Sequence, residues 1–103
     1  MMEELEPPPG FDWERWKAEV NPTAHEGVTF AEAVTVFSDP FMLIAPDVNH
    51  SDREPRFHAL GYSEKSRILL VVHIELNASV RKIISARKAS RSDRDKYNDR
   101  RNR

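Results

Sequence analysis

The sequence predicts an α+β fold with two N-terminal helices, an antiparallel β-sheet meander and a C-terminal helix. Three observations carry this. Apolar residues recur at helical spacing near 13–20 and 29–37. From Phe41 the pattern changes to short apolar runs separated by polar turns. After residue 89 it changes again, to a charged segment opened by Ser90 and Asp93 at capping-box spacing. Helices lying on one side of an antiparallel sheet satisfy that order.

Asp12 has the residue type of an N-cap for the first helix. Trp13, Trp16 and Val20 follow at i, i+3 and i+7, a stripe expected to face the core. Pro22 lacks an N–H and disfavours helix at Asn21, so the helix is expected to stop or kink there. Thr29 and Glu32 are spaced to open a second helix, which carries Phe30, Ala33, Val34 and Phe37 and ends at Asp39-Pro40. Residues 41–45 form a short strand stopped by Pro46, and 48–55 a polar loop. Residues 56–62 and 67–75 are the next strands. The second of these is apolar on both faces through Ile68-Leu69-Leu70-Val71-Val72, which places it at the centre of the sheet. Residues 80–86 form the last strand, and a helix starts near Ser90.

At 103 residues and 39% hydrophobic, the chain is long enough for one domain with a thin core. Residues 1–10, acidic with three consecutive prolines, are expected to be a disordered tail. A single domain is expected over 11–103, with a basic C-terminus that frays. The longest apolar run, 41–45, is far short of the roughly 20 residues that span a bilayer. The N-terminal segment has neither the basic start nor the apolar stretch of a secretory leader. Cysteine is absent, which removes disulfides and thiolate metal sites and fits a reducing compartment. These features lead to the expectation of a cytoplasmic protein with no membrane partner.

The net charge of −1 conceals a division. Residues 1–78 carry 6 basic and 14 acidic side chains, and residues 79–103 carry 10 basic and 3 acidic ones. Such a split suits a polyanion or an acidic partner. It also suits a solvated helical tail with internal ion pairs. Four of these cations lie in the run from Val80 to Lys88. Strand alternation places Arg81, Ile83, Ser85 and Arg87 on one face, and Lys82 and Ile84 on the other. Guanidinium forks match phosphate oxygens. Cleaving RNA through its 2′-hydroxyl requires an aligned backbone, a proton acceptor and cations at the phosphorus.

Other chemistries find little footing. The histidines, at 25, 50, 58 and 73, include no i, i+4 pair of the helical zinc type, so no metal is expected. His58 and His73 read as sheet histidines. His50, in a loop with Asp47, Asp52 and Glu54, is an acid–base candidate. Three glycines make no phosphate-binding loop, and no serine lies in a nucleophile elbow.

Five stretches taken together resemble the BrnT toxin family. They are Phe11-Asp12-Trp13 with Lys17, Asn21 and His25; Gly27-Val28-Thr29-Phe30 through Asp39-Pro40; His50-Ser51 with Glu54, Arg56, Phe57 and Gly61; Leu70-Val71-Val72-His73; and Ile83 through Ser90 with Tyr97. The resemblance covers about residues 11–98. It implies a fold similar to the RelE-type ribonucleases and a toxin that cleaves RNA without a metal or other cofactor. It also implies neutralisation by a BrnA-like ribbon-helix-helix antitoxin, with DNA engaged only through that antitoxin. On this resemblance the catalytic set is Arg56, Arg87, Lys82 and His50, and the cations that hold RNA are Arg81, Lys88 and Arg91. The chain departs from the family where Ala24-His25-Glu26-Gly27 replaces Lys-His-Gly, and where Lys82 replaces an arginine before the Ile-Ile pair. An inactive protein of the same fold that binds RNA or a partner is the alternative.

Overall fold

In the computed structural model, which describes residues 5–49 and 54–103, a single five-stranded sheet organises the chain. The elements run β1 (Phe11–Asp12), α1 (Arg15–Ala24), α2 (Phe30–Thr35), a 3₁₀ turn (Val36–Ser38), β2 (Leu43–Pro46), β3 (Arg56–Tyr62), β4 (Ile68–Asn77), β5 (Val80–Lys88) and α3 (Arg91–Arg101). Spatial order in the sheet is β1-β5-β4-β3-β2. Strands β2 to β5 form the expected antiparallel meander, and doubly apolar β4 lies at its centre. The sheet as a whole is mixed, because β1 adds to β5 in parallel through Phe11–Arg81 and Asp12–Lys82. Two residues between a proline run and a helix carry no period, so periodicity did not reveal this strand.

The first helix corrects the sequence reading most. It starts at Arg15, not Trp13, and Glu14 occupies its N-cap without a side-chain hydrogen bond. Asp12 instead accepts from the adjacent Trp13 N–H within extended chain. Trp13 is buried edge-on to Phe30 ahead of the helix. With that start, the inward positions of α1 are Ala18 and Asn21, and Trp16 and Val20 are 59% and 51% exposed. The helix also passes Pro22, which lies in its last turn, where few later residues depend on the missing bond. Glu26 (φ 51°) and Gly27 (φ 79°) then take left-handed conformations, and the Gly27 N–H closes on the Pro22 carbonyl at 2.8 Å.

The sheet has two unlike faces. Against α1, α2 and the 3₁₀ turn it presents Ala59, Leu69, Val71, Ile83 and Ala86, which close the main core with Trp13, Val28, Phe30, Ala33 and Val36. Gly61 lies on this side because any Cβ there would meet Asp39 Oδ2 and Val36 Cγ1, each at 3.1 Å. A smaller cluster on the other face joins Leu60, Ile68 and Leu70 to Ala89 and Tyr97 of the C-terminal segment. Helix α3 starts at a full capping box between Ser90 and Asp93. It is secured by Tyr97, whose hydroxyl donates to Asp39 Oδ2 at 2.6 Å. Burial, then the Asp39 carboxylate, pushes that phenol up to about 12, so it remains a donor. Ahead of β1, the Leu5 carbonyl accepts from the Trp13 indole at 3.0 Å.

Two buried polar groups tie the layers together. Asn21 lies against the outer edge of β5, which β1 leaves unpaired beyond Lys82. Its amide donates to the Ala86 and Val28 carbonyls, each at 2.8 Å, and accepts from the Ala86 N–H at 3.3 Å. Glu32 is 1% exposed and receives Arg67 as a fork, Nε to Oε2 at 2.8 Å and Nη2 to Oε1 at 2.6 Å, with Ser63 Oγ at 2.6 Å. Burial pushes the Glu32 carboxyl up. The bonds from Arg67 and Ser63 and the positive charge of Arg67 outweigh it, and the group stays below its ordinary value.

A depressed carboxyl stabilises the fold above its unfolded pKa, and that contribution is lost as pH falls through the folded value. Glu32→Gln is therefore expected to cost about 3 kcal/mol at neutral pH, since it leaves Arg67 without its counter-charge. Thermal melting should show the gap between parent and variant closing as pH falls below about 4.5. A gap that stays constant down to strong acid would contradict this role for Glu32.

Candidate functional site

Strand register determines which side chains share the second sheet face. Reading across β3, β4 and β5, successive rows on that face are Arg56–Ile74–Lys82, His58–Val72–Ser85 and Leu60–Leu70–Arg87. The helix-facing rows between them are Phe57–His73–Ile83 and Ala59–Val71–Ala86. The rows stay in phase across β5 only because the register slips between Val72 and His73, which makes Ile84 an extra residue. This bulge overturns the alternation expected for the last strand. Ile83 and Ala86 both enter the core, Arg81 shares the helix side with Ile83, and Ser85 and Arg87 turn to the opposite face.

Because α3 covers only the end of that face beside Leu60 and Ile68, a cleft of about 330 Å³ remains open next to it. Apolar Leu70, Val72 and Ile84 form part of its lining, and Arg56, His58, Ser85, Arg87, Asp47 and Asn49 supply the polar groups. Arg56 comes from the first residue of β3 and Arg87 from near the end of β5. Arg87 is anchored on one side: Nη1 donates to Asp93 Oδ2 and to the Lys88 carbonyl, each at 3.1 Å. Among the described residues nothing takes its Nε or Nη2, and the side chain is 42% exposed. Burial pushes Asp93 up, but the Ser90 hydrogen bonds and Arg87 hold it below the usual carboxylate range, so the anchor is charged at neutral pH.

Asp47 is 6% exposed at the cleft wall. Its N–H donates to the Arg56 carbonyl at 2.8 Å, which fixes the start of the loop to β3. Its Oδ1 accepts from the Asn49 N–H at 3.2 Å, and its Oδ2 lies 3.0 Å from His58 Nε2.

The other residues singled out in the sequence lie elsewhere. Lys82 shares a row with Arg56 but turns to Glu14, Nζ to Oε1 at 3.6 Å. Arg81 stacks on Phe37 at 4.6 Å, with Nε 3.5 Å from Glu75. Lys88 reaches Glu26 at 3.4 Å, and Arg91 is exposed at the first turn of α3. His50 lies outside the described residues. His73 is fully buried between Phe37 and Phe57, and burial lowers its pKa, which makes it a neutral core residue. Among the described residues, no group of three or more His, Cys, Asp or Glu side chains could hold a metal ion.

His58, Asp47 and Ser85 were not among the sequence candidates for the cleft. The signal for His58 was available, because it is two residues from Arg56 and strand parity puts both on one face. Ser85 was hidden by the bulge, and Asp47 by a loop whose path no periodicity reports. A second concavity of about 440 Å³, lined by Asp39, Phe41, Tyr62, Tyr97 and Arg101, makes a weaker candidate. Its charged groups are engaged structurally: Asp39 takes Tyr97 and the Tyr62 N–H, and Arg101 lies over the Phe41 and Tyr62 rings.

In fold, the chain is similar to the crystal structure of the Brucella abortus ribonuclease toxin BrnT, with a TM-score of 0.60 at 23% identity over 79% of this chain and 96% of that one. No curated protein matches it. The family model described as the ribonuclease toxin BrnT of type II toxin–antitoxin systems matches residues 13–93, most of the chain. The chain therefore belongs to the BrnT family of ribonuclease toxins.

Proposed function

We propose that this protein is a metal-independent endoribonuclease that cleaves RNA on the open face of its sheet and is neutralised by a BrnA-like ribbon-helix-helix antitoxin. The observation that carries the reading is the approach of Arg56 and Arg87 to one cleft from the two strands that flank β4. Two guanidinium groups can straddle a phosphodiester and stabilise the extra negative charge that develops at phosphorus. Apolar Val72 and Ile84 between them lower the local polarity and strengthen that interaction.

Lys82 assists at the rim if it exchanges Glu14 for phosphate, and Arg91 extends the positive surface toward flanking nucleotides. Arg81 and Lys88 contribute to RNA binding only by exchanging Glu75 and Glu26. His50 is a second acid–base candidate. The toxin domain is taken as residues 11–103, with a RelE-like arrangement and a cytoplasmic location in a bacterium. DNA is engaged only through the antitoxin. No helix among the described residues is long and apolar enough to cross a membrane.

Arg56→Ala and Arg87→Ala should each lower RNA cleavage by about a hundredfold or more, on the order of 3 kcal/mol of transition-state stabilisation. For Arg87→Ala the melting temperature should fall only slightly, because Arg87 is 42% exposed and its half-screened pair with Asp93 contributes on the order of 1 kcal/mol. Arg103→Ala, in the exposed tail, should leave cleavage unchanged. A folded double variant that cuts like the parent would remove the assignment. A parent that binds RNA without cutting it would favour the inactive alternative, to which the left-handed Glu26 and the missing lysine at position 24 lend support.

The antitoxin should meet the cationic C-terminal quarter of the chain, where residues 79–103 hold 10 of the 16 basic side chains. Stopped-flow association is expected to slow severalfold from low to near-physiological ionic strength, while dissociation changes little. An association rate indifferent to salt would contradict charge steering at this surface.

A further inference from the structure

The two arginines of the cleft supply charge but do not accept a proton. We propose that His58, positioned by Asp47, takes the proton from the attacking ribose 2′-hydroxyl when RNA is cleaved in this cleft, a role that rests on the ribonuclease reading above. Three features of the site carry the assignment.

The first is placement. The His58–Val72–Ser85 row lies between the row that begins with Arg56 and the row that ends with Arg87. Residues two apart along a strand are separated by about 7 Å, and next-but-one strands by about 10 Å. The spacing accommodates one nucleotide linkage, its phosphate between the guanidinium groups and its ribose over the imidazole.

The second is orientation. The carboxylate that faces His58 is held from three directions. Its backbone N–H is bonded to Arg56, its Oδ1 takes the Asn49 N–H, and its Oδ2 is directed at His58 Nε2 from 3.0 Å. That contact favours the tautomer with the proton on Nε2 and leaves the Nδ1 lone pair to act as base. Among the described residues Nδ1 has no hydrogen-bond partner, and the side chain, 37% exposed, lines the cleft.

The third is the set of charged and apolar groups around it. Among the described residues, the charged groups that line the cleft with His58 are Asp47 from the loop after β2, Arg56 from its own strand and Arg87 from β5. Strand β4 brings Leu70 and Val72, and β2 pairs Ala45 beside it. Asp47 holds the ring in place, and the two guanidinium groups line the same cleft, where a phosphate would sit.

The reaction balances without a further reagent. The 2′-hydroxyl proton passes to His58 Nδ1, the 2′-oxygen bonds to phosphorus, and the bond from phosphorus to the 5′-oxygen breaks. The departing oxygen takes a proton from water, and His58 returns its own to solvent. The products are a 2′,3′-cyclic phosphate and a 5′-hydroxyl.

The test is the pH–rate profile of single-turnover cleavage of a short RNA by the parent, His58→Gln, His58→Gly, Asp47→Asn, His50→Gln and Arg87→Ala, each checked for folding by thermal melting. The parent rate should rise through the histidine range, between about pH 5 and 8, and then level off. His58→Gln should lose a hundredfold or more and lack that rise, and added imidazole should restore part of the His58→Gly rate. Asp47→Asn should keep the rise but lose rate and shift its midpoint, as a positioning role requires. His50→Gln should keep the rise, whatever its effect on the rate. If the arginine variant loses rate while His58→Gln retains both rate and rise, the ribonuclease reading stands and the role of His58 falls. The role also falls if the rise is lost from His50→Gln. A parent that leaves RNA intact overturns both.

Discussion

One extra residue in β5 determines how this small domain divides its labour. A strand with strict alternation would place Ile83, Ser85 and Arg87 on the same side. That arrangement would put a guanidinium group in the core and turn Ala86 outward, with a desolvation cost that a thin core could not offset. The bulge at Ile84 shifts the phase, so Ile83 and Ala86 close the core while Ser85 and Arg87 line the cleft. Asn21 then occupies the edge of the strand just past the irregularity and satisfies both backbone groups of Ala86. Helix packing on one face and an open, cation-lined cleft on the other both follow from this local change of register.

Partial cover of the second face is the other half of the design. Helix α3 is charged almost throughout, and Tyr97 is its only buried residue. It reaches over Leu60, Leu70 and Ile68 and stops short of Val72. The capping acid Asp93 also anchors Arg87, so the start of the helix and the orientation of a cleft cation depend on the same carboxylate. Changes at the capping box are therefore felt in the site as well as in the helix.

Much of the architecture was legible in the sequence because it rests on strong local signals. The doubly apolar run of β4 marked the sheet centre, and the Thr29 and Ser90 caps opened α2 and α3 where the residue types indicated. What escaped the reading depends on long-range contacts. β1 exists only because β5 offers an edge, and the inward face of α1 depends on a start site with no capping side chain. Arg56 and Arg87 were legible as cations at strand ends, but not as neighbours of one cleft. That relation depends on register across three strands and on the bulge. The pairing of Asp47 with His58 depends on a loop returning to its own strand, and no sequence period encodes that path.

Substrate bound on the open sheet face would leave a local imprint on the backbone amides there. Amide chemical-shift mapping with a short RNA carrying a 2′-deoxyribose at the scissile position, which binds but cannot be cut, locates it directly. Perturbations are expected to concentrate on Arg56 to Ala59, on Leu70 and Val72, and on Ile84 to Arg87, with α1 and α2 unaffected. Perturbations confined to α1, or to the opposite face around Arg81 and Lys88, would contradict that placement.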